Sequence, residues 1–213
     1  MLRMMSSLKS PAWKPCSGLI ASLSFAIACA SQPVLADSRS VVFQEHRVQP
    51  NVRVDGVDLV LNGAGLRNFM FFDVYVMALY LPKRVTDAHA VLRQDLPRRL
   101  QITFLRDVVT ERDVDFLMDG LVENNTPEEL TVIQPQLDHF LRIVRAMGKV
   151  AKGGVVQLDY LPNVGTRVWL NQRLLGTVAG AAFNRSVLKI WLGDHPTQAD
   201  LKRALLGEAQ EAI

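Results

Sequence analysis

Past residue 36 the chain has no cysteine; its two, Cys16 and Cys29, both lie near the start of the 213 residues. A domain built from the remainder has no disulfide, no thiolate nucleophile and no cysteine metal ligand, so a core must stabilise it. Net charge is also missing. Three of the 24 Lys and Arg (Arg3, Lys9 and Lys14) fall before Asp37, the first acid, leaving 21 cations against 21 Asp and Glu. The excess of +3 therefore belongs to the N-terminus, and the basic balance of a nucleic-acid binder is absent. No apolar run is long enough to span a bilayer core of about 30 Å; Gly18 to Ala30 comes nearest and falls short. Catalytic signatures are missing too. There is no Gly-x-Ser-x-Gly elbow, and Gly63-x-Gly65 lacks the third glycine of a dinucleotide loop. His46, His89, His139 and His195 are scattered without metal-ligand spacing, so no cofactor and no metal are expected.

What is present begins with a leader. A positive stretch, the apolar run and then Pro33-Val34-Leu35-Ala36 follow signal-peptide order, which places cleavage after Ala36 and the product in a periplasm. A lipoprotein reading would use Cys29, but Ala26 stands where leucine is wanted. The remaining 177 residues suffice for one soluble domain. They divide into a lead-in and first strand (37–51), a domain (52–207) and a short tail (208–213), with no stable membrane insertion expected.

Turn chemistry and periodicity outline the domain. Asp55-Gly56 predicts a hairpin between Val52–Val54 and Val57–Leu61. Asn62-Gly63-Ala64-Gly65 reads as a second turn, and Phe69 to Leu81 as one long central strand rich in Phe, Val and Tyr. Leu100 to Leu105 is another strand. Thr110 is expected to cap a helix reaching about Asn124. Thr126, Pro127 and Glu129 form a capping-box start for the next, which Pro135 should bend or end. Strands follow at Val155–Leu161, Thr166–Leu170 and Arg173–Val178, then a buried helix near Leu188–Leu192 and a closing one from Pro196 to Leu206. Strands, helices, strands, helices is the order of an α+β domain: a mostly antiparallel sheet with helices on one face.

Several segments together resemble the chalcone isomerase-like family, in its bacterial exported branch. They are Leu61 to Arg67 (LNGAGLR), Phe72 to Tyr75, Ala78 to Leu81, Ile102 to Thr110 (ITFLRDVVT), Val156 to Thr166 (VQLDYLPNVGT), and Ile190 to Gly193 with Pro196 and Gly207. The resemblance runs from about Val52 to Gly207. It implies an open-faced β-sandwich with a cleft for a small, mostly apolar ligand between sheet and helices. Arg67 matches the arginine that follows the Gly-x-Gly turn in both the plant isomerases and their fatty-acid-binding relatives. The isomerase pattern breaks elsewhere. The strand threonine of the enzymes falls at about Tyr75, and their helix tyrosine near Val114 or Asp115; Asn124 or Asn125 lies near the helix asparagine. Chalcone isomerase activity is therefore not expected.

The candidate ligand-binding residues are Arg67, Tyr75, Asp73, Thr103 and Tyr80; none is assigned a catalytic role. On a regular strand Arg67, Phe69, Phe71, Asp73, Tyr75 and Met77 would share one face. A guanidinium in a partly dry cleft grips a carboxylate through two parallel hydrogen bonds. Two roles stay open for Arg67: anchoring a ligand, or neutralising Asp73 in a structural pair. Tyr75 and Tyr80 face opposite sides, so at most one lines a given cleft. Thr103 offers a hydroxyl, while Arg106-Asp107 reads as a strand-to-helix junction. The expected partner is a small amphipathic molecule such as a fatty acid. An isomerase or lyase-like activity and an interaction module of an envelope complex are the alternatives, and a protein partner stays open.

Overall fold

The structure is a computed structural model that describes residues 41–43 and 46–208. The expected leader and cleavage site, Cys29, the first residues of the lead-in and residues 209–213 lie outside the described residues. The described residues belong to one compact unit, Asp37–Ile213.

Short strands β1 (Val41–Phe43) and β2 (His46–Val48) pair with each other. Strand β3 (Asn51–Val54) turns through Asp55 and Gly56, both at positive φ, into β4 (Val57–Phe69), as the Asp-Gly signal predicts. A second tight turn leads to β5 (Phe72–Leu81), then helix α1 (Ala88–Arg93), β6 (Arg98–Phe104), and the two-residue β7 (Val108–Val109). Helices α2 (Thr110–Asn124) and α3 (Pro127–Ala146) follow, then β8 (Lys149–Val150), β9 (Val155–Leu161), β10 (Gly165–Leu170) and β11 (Arg173–Val178). Helices α4 (Ala181–Leu192) and α5 (Ala199–Leu205) close the chain. Seven strands form one antiparallel sheet in the order β11-β10-β9-β6-β5-β4-β3. This is the expected α+β architecture.

Three local readings are corrected. Phe69 to Leu81 is not one strand. The chain reverses between Phe69 and Phe72, which pair across a two-residue loop of Met70 and Phe71. Asn62 to Gly65 is no turn but the middle of β4, bulged between Leu61 and Gly63. Its glycine answers to packing: a Cβ on Gly63 would lie 2.0 Å from the Ala204 carbonyl oxygen, so only glycine lets α5 rest on the strand. Beside it, buried Asn62 donates to the carbonyls of Val85 (3.0 Å) and Leu205 (2.7 Å) and accepts from the Val85 amide at 2.7 Å. Thr110 does not cap α2. Val109 holds that position, and the Thr110 hydroxyl donates to the Gly148 carbonyl at 2.9 Å. The capping box at Thr126 and Glu129 forms as expected, and α3 runs on unbroken through Pro135.

Alternate residues of each strand feed two cores. Met77, Leu79, Leu100, Val156 and Leu158 pack with Leu121, Leu137, Phe140, Phe183 and Ile190 on the helical side. Val76, Ala78 and Tyr80 pack with Val48, Leu59, Leu61 and Leu105 on the other. Each Val, Leu, Ile, Phe or Met side chain among them taken from water stabilises the fold by roughly 1.5–3 kcal/mol. Across β6 and β9, Arg99 and Asp159 stand opposite each other and form two bonds of 2.6 and 2.7 Å. Among the described residues no helix is long and apolar enough to cross a membrane.

Candidate functional site

The site begins with an irregularity at the far end of β4. Arg67 pairs with Tyr75, yet the next residue, Asn68, pairs with Asp73, so Val74 is an extra residue on β5. Such a bulge re-aims its neighbours, and Val74 and Tyr75, adjacent in sequence, both line the same cavity. The cavity holds about 380 Å³ between the sheet and helices α2, α3 and α4, within the roughly 300–1,000 Å³ range of small-molecule sites. Ile102, Phe104, Val156 and Leu158 form its sheet wall; Leu117, Phe140, Val144 and Ile190 form its helical wall.

Polar groups gather along one margin. Arg67 is half-buried, and its Nη1 donates to the Asn68 carbonyl and, at 3.2 Å, to Gln198 Oε1. Both partners are neutral. No carboxylate pairs with Arg67 among the described residues, and its Nη2 and Nε find no protein acceptor there. Asp73, the alternative partner, instead accepts from Asn68 Nδ2 at 2.6 Å. Gln198 fixes the bulged strand end by also accepting from the Asn68 amide at 3.0 Å. The Tyr75 hydroxyl accepts from Trp191 Nε1 at 3.0 Å, and the ring meets Phe104 edge-on at 6.1 Å. Thr197 also lines the cavity, and its buried hydroxyl has no hydrogen-bond partner among the described residues. A buried hydroxyl left unpaired costs about 1–3 kcal/mol, so this one is suited to a ligand oxygen.

Arg106 and Asp107 reach the cavity from the junction between β6 and α2. The Arg106 guanidinium lies 5.0 Å from the Phe72 ring centre. Asp107 accepts from Lys149 Nζ at 2.7 Å and from the Lys152 amide at 2.9 Å, and these bonds hold its carboxyl below the usual carboxylate range. It is therefore ionised at neutral pH and poorly suited to act as a general acid.

The predicted residues divide cleanly. Arg67 and Tyr75 are brought together on the cavity wall. Asp73 stands beside them but outside the lining. Thr103 pairs with Val76, whose side chain belongs to the other core, and it does not line the cavity. Tyr80 lies on that opposite face as well, fully buried, donating to the Gln49 carbonyl at 3.0 Å; burial pushes its pKa up to about 12. Trp191, Thr197 and Gln198 were not singled out for the site by the sequence. They arrive from the end of α4 and the loop after it, and no periodicity couples that loop to β4.

The fold is that of the family the sequence resembles. The sequence matches the chalcone isomerase-like family over residues 40–207. The chain belongs to that family. Among solved structures, a fatty-acid binding protein from Arabidopsis thaliana is similar, with a TM-score of 0.60 at 15% identity, covering 79% of this chain and 96% of the other. At that identity the likeness speaks for the fold alone. No curated protein matches the sequence.

Proposed function

We propose that this family member is an exported, non-catalytic carrier of a small amphipathic carboxylate, a fatty acid or a molecule like it. One observation carries the reading. The Nη2 and Nε edge of Arg67 has no protein acceptor among the described residues, although Arg67 lines an otherwise mostly apolar cavity. That edge suits two parallel bonds to a carboxylate. Thr197 adds a hydroxyl that lacks a partner among the described residues, Tyr75 adds a phenol oriented by Trp191, and the walls take the tail. The fatty-acid binding activity named for the Arabidopsis protein of like fold supports the same ligand class. An isomerase or lyase reading gains no comparable support: Asp107, a carboxylate lining the cavity, is engaged by Lys149 and the Lys152 amide. Export rests on the leader before Asp37.

Native mass spectrometry of gently purified protein, wild type and Arg67→Ala, tests both parts. The expected wild-type result is a chain beginning at Asp37 with a carboxylic-acid adduct. Arg67→Ala is expected to weaken binding by about 1.5–3 kcal/mol, the range of a hydrogen bond to a charged group. A clean apo mass unchanged by added fatty acids would sink the carrier reading, and an N-terminus elsewhere would sink the cleavage site.

A further inference from the structure

Where β4 meets β5 the sequence reads Phe69-Met70-Phe71-Phe72, and this turn breaks the usual chemistry of hairpins. Met70 sits at φ +55. In a two-residue loop, that first position normally takes glycine, asparagine or aspartate, because a large side chain is strained there. The same molecule obeys the rule at Asp55-Gly56. Burial does not compensate: Phe71 is 96% exposed, Met70 79%, Phe72 57% and Phe69 46%. Other exposed hydrophobics stand elsewhere, such as Val132 on α3, Val164 in the turn between β9 and β10, and Leu174 on β11. Four adjacent large apolar side chains at a protruding tip, kept against both turn preference and solvation, point to an apolar environment outside the protein.

The chemistry around the tip says which environment. Two guanidinium groups lie directly behind it: Arg106, 5.0 Å from the Phe72 ring centre, and Arg67, 6.0 Å from that of Phe69. Among the described residues there, Asp107 is paired with the Lys149 cation, and Asp73 keeps its charge while accepting from the neutral Asn68 amide. An apolar tip with a cationic collar matches the layering of a bilayer, acyl chains within and phosphates above. A stable protein interface takes about 20–30 residues a side, far more than this turn offers. Phe69 is also part of the cavity wall and meets Phe116 edge-on at 5.8 Å, so the apolar surface continues from the tip into the cavity. We propose that the Phe69–Phe72 turn, backed by Arg67 and Arg106, docks the protein on a lipid surface with the cavity margin facing the bilayer. The tip is too short to span and holds the protein at the interface only. Docking stands on the tip itself; transfer of a ligand between bilayer and cavity would rest in addition on the carrier reading.

Vesicle flotation tests it, using protein purified from cells that express the full chain. The vesicles are phosphatidylcholine with or without phosphatidylglycerol. Wild type is expected to float with both, more with the anionic set, and to lose that increment in high salt. The variant Met70→Gly/Phe71→Ser puts glycine at the positive φ, so it is expected to fold and to melt no lower than wild type. Its partitioning is expected to fall at least about tenfold. Val132→Ser, an exposed apolar residue on α3, is expected to change nothing. Wild type that ignores vesicles, or a variant that floats equally well, would overturn the proposal. So would a wild-type dimer dispersed by the variant, since the tip would then belong to a second copy. Fatty-acid uptake measured without vesicles is expected to survive in the variant. Flotation by a protein that takes up no fatty acid would sink the carrier reading and leave docking supported.

Discussion

Tyr75 and Tyr80 stand on one strand and face opposite sides of the same sheet, and their surroundings differ in kind. Tyr80 is fully buried among Val48, Leu59 and Leu61, its hydroxyl satisfied by the Gln49 carbonyl. Tyr75 borders a cavity of about 380 Å³ beside a cation that no carboxylate neutralises among the described residues. The Tyr80 face is packed as a core is ordinarily packed, and the Tyr75 face is left incomplete. Protein interiors tolerate few voids larger than a water molecule. The void beside Tyr75, with an arginine at its margin, is the feature on which the carrier proposal rests.

The comparison breaks most visibly under truncation. Tyr80→Ala is expected to cost about 3–5 kcal/mol, because it opens a new hole in a filled core. Tyr75→Ala only enlarges an existing space and is expected to cost less than about 2 kcal/mol. Urea unfolding of the two variants checks this, and equal losses would mean that both faces are packed alike.

How much of this was legible in the sequence depended on whether a local signal had one meaning. Asp55-Gly56 and the Thr126-Pro127-Glu129 start were read correctly because turn and cap chemistry are settled within a few residues. Asn62 to Gly65 misled because glycine serves equally for a turn and for a helix pressed against a strand, and α5 decides between them from far along the chain. Phe69 to Leu81 misled for the opposite reason: the turn at Met70 carries no turn residue, so nothing marked it. Arg67 and Tyr75 meet on the cavity wall as cross-strand neighbours rather than as members of one strand. The rest of the polar margin, Thr197, Gln198 and Trp191, is a product of tertiary packing. Arg67 was found through the family resemblance and from charge; its partners were not, because their role exists only in the folded chain.

A second test fills the incomplete face instead of emptying the full one. Val144 is a half-buried cavity-lining residue on α3. Val144→Phe is expected to raise stability by about 0.5–2 kcal/mol, as cavity-filling changes commonly do. It is also expected to reduce fatty-acid uptake at least about tenfold by occupying the tail's space. Calorimetry and a ligand titration read the two effects on the same sample. Lost stability with unchanged uptake would place the ligand elsewhere.

The smallest expected effect concerns pH and separates burial from hydrogen bonding on the filled face. Burial raises the folded-state pKa of Tyr80 to about 12 from the ordinary 10.0. Between those values the folded chain holds a proton that the unfolded chain has released, so stability falls as pH rises. The contribution is fully present below about pH 10 and lost as pH climbs through 12. Tyr160, also raised to about 12, acts in the same direction. Arg98, lowered to about 10, acts in the opposite one. Absolute alkaline stability is therefore a mixture, but the difference between wild type and Tyr80→Phe isolates one group. At neutral pH the variant is expected to be less stable by about 0.5–1.5 kcal/mol, through loss of the bond to Gln49. Near about pH 11 wild type alone is penalised for holding that proton, by on the order of 1 kcal/mol, so the gap narrows or closes. Urea unfolding at the two pH values measures it. A gap that stays constant would mean that water reaches Tyr80, and the contrast between a filled and an incomplete face would fail at its filled side.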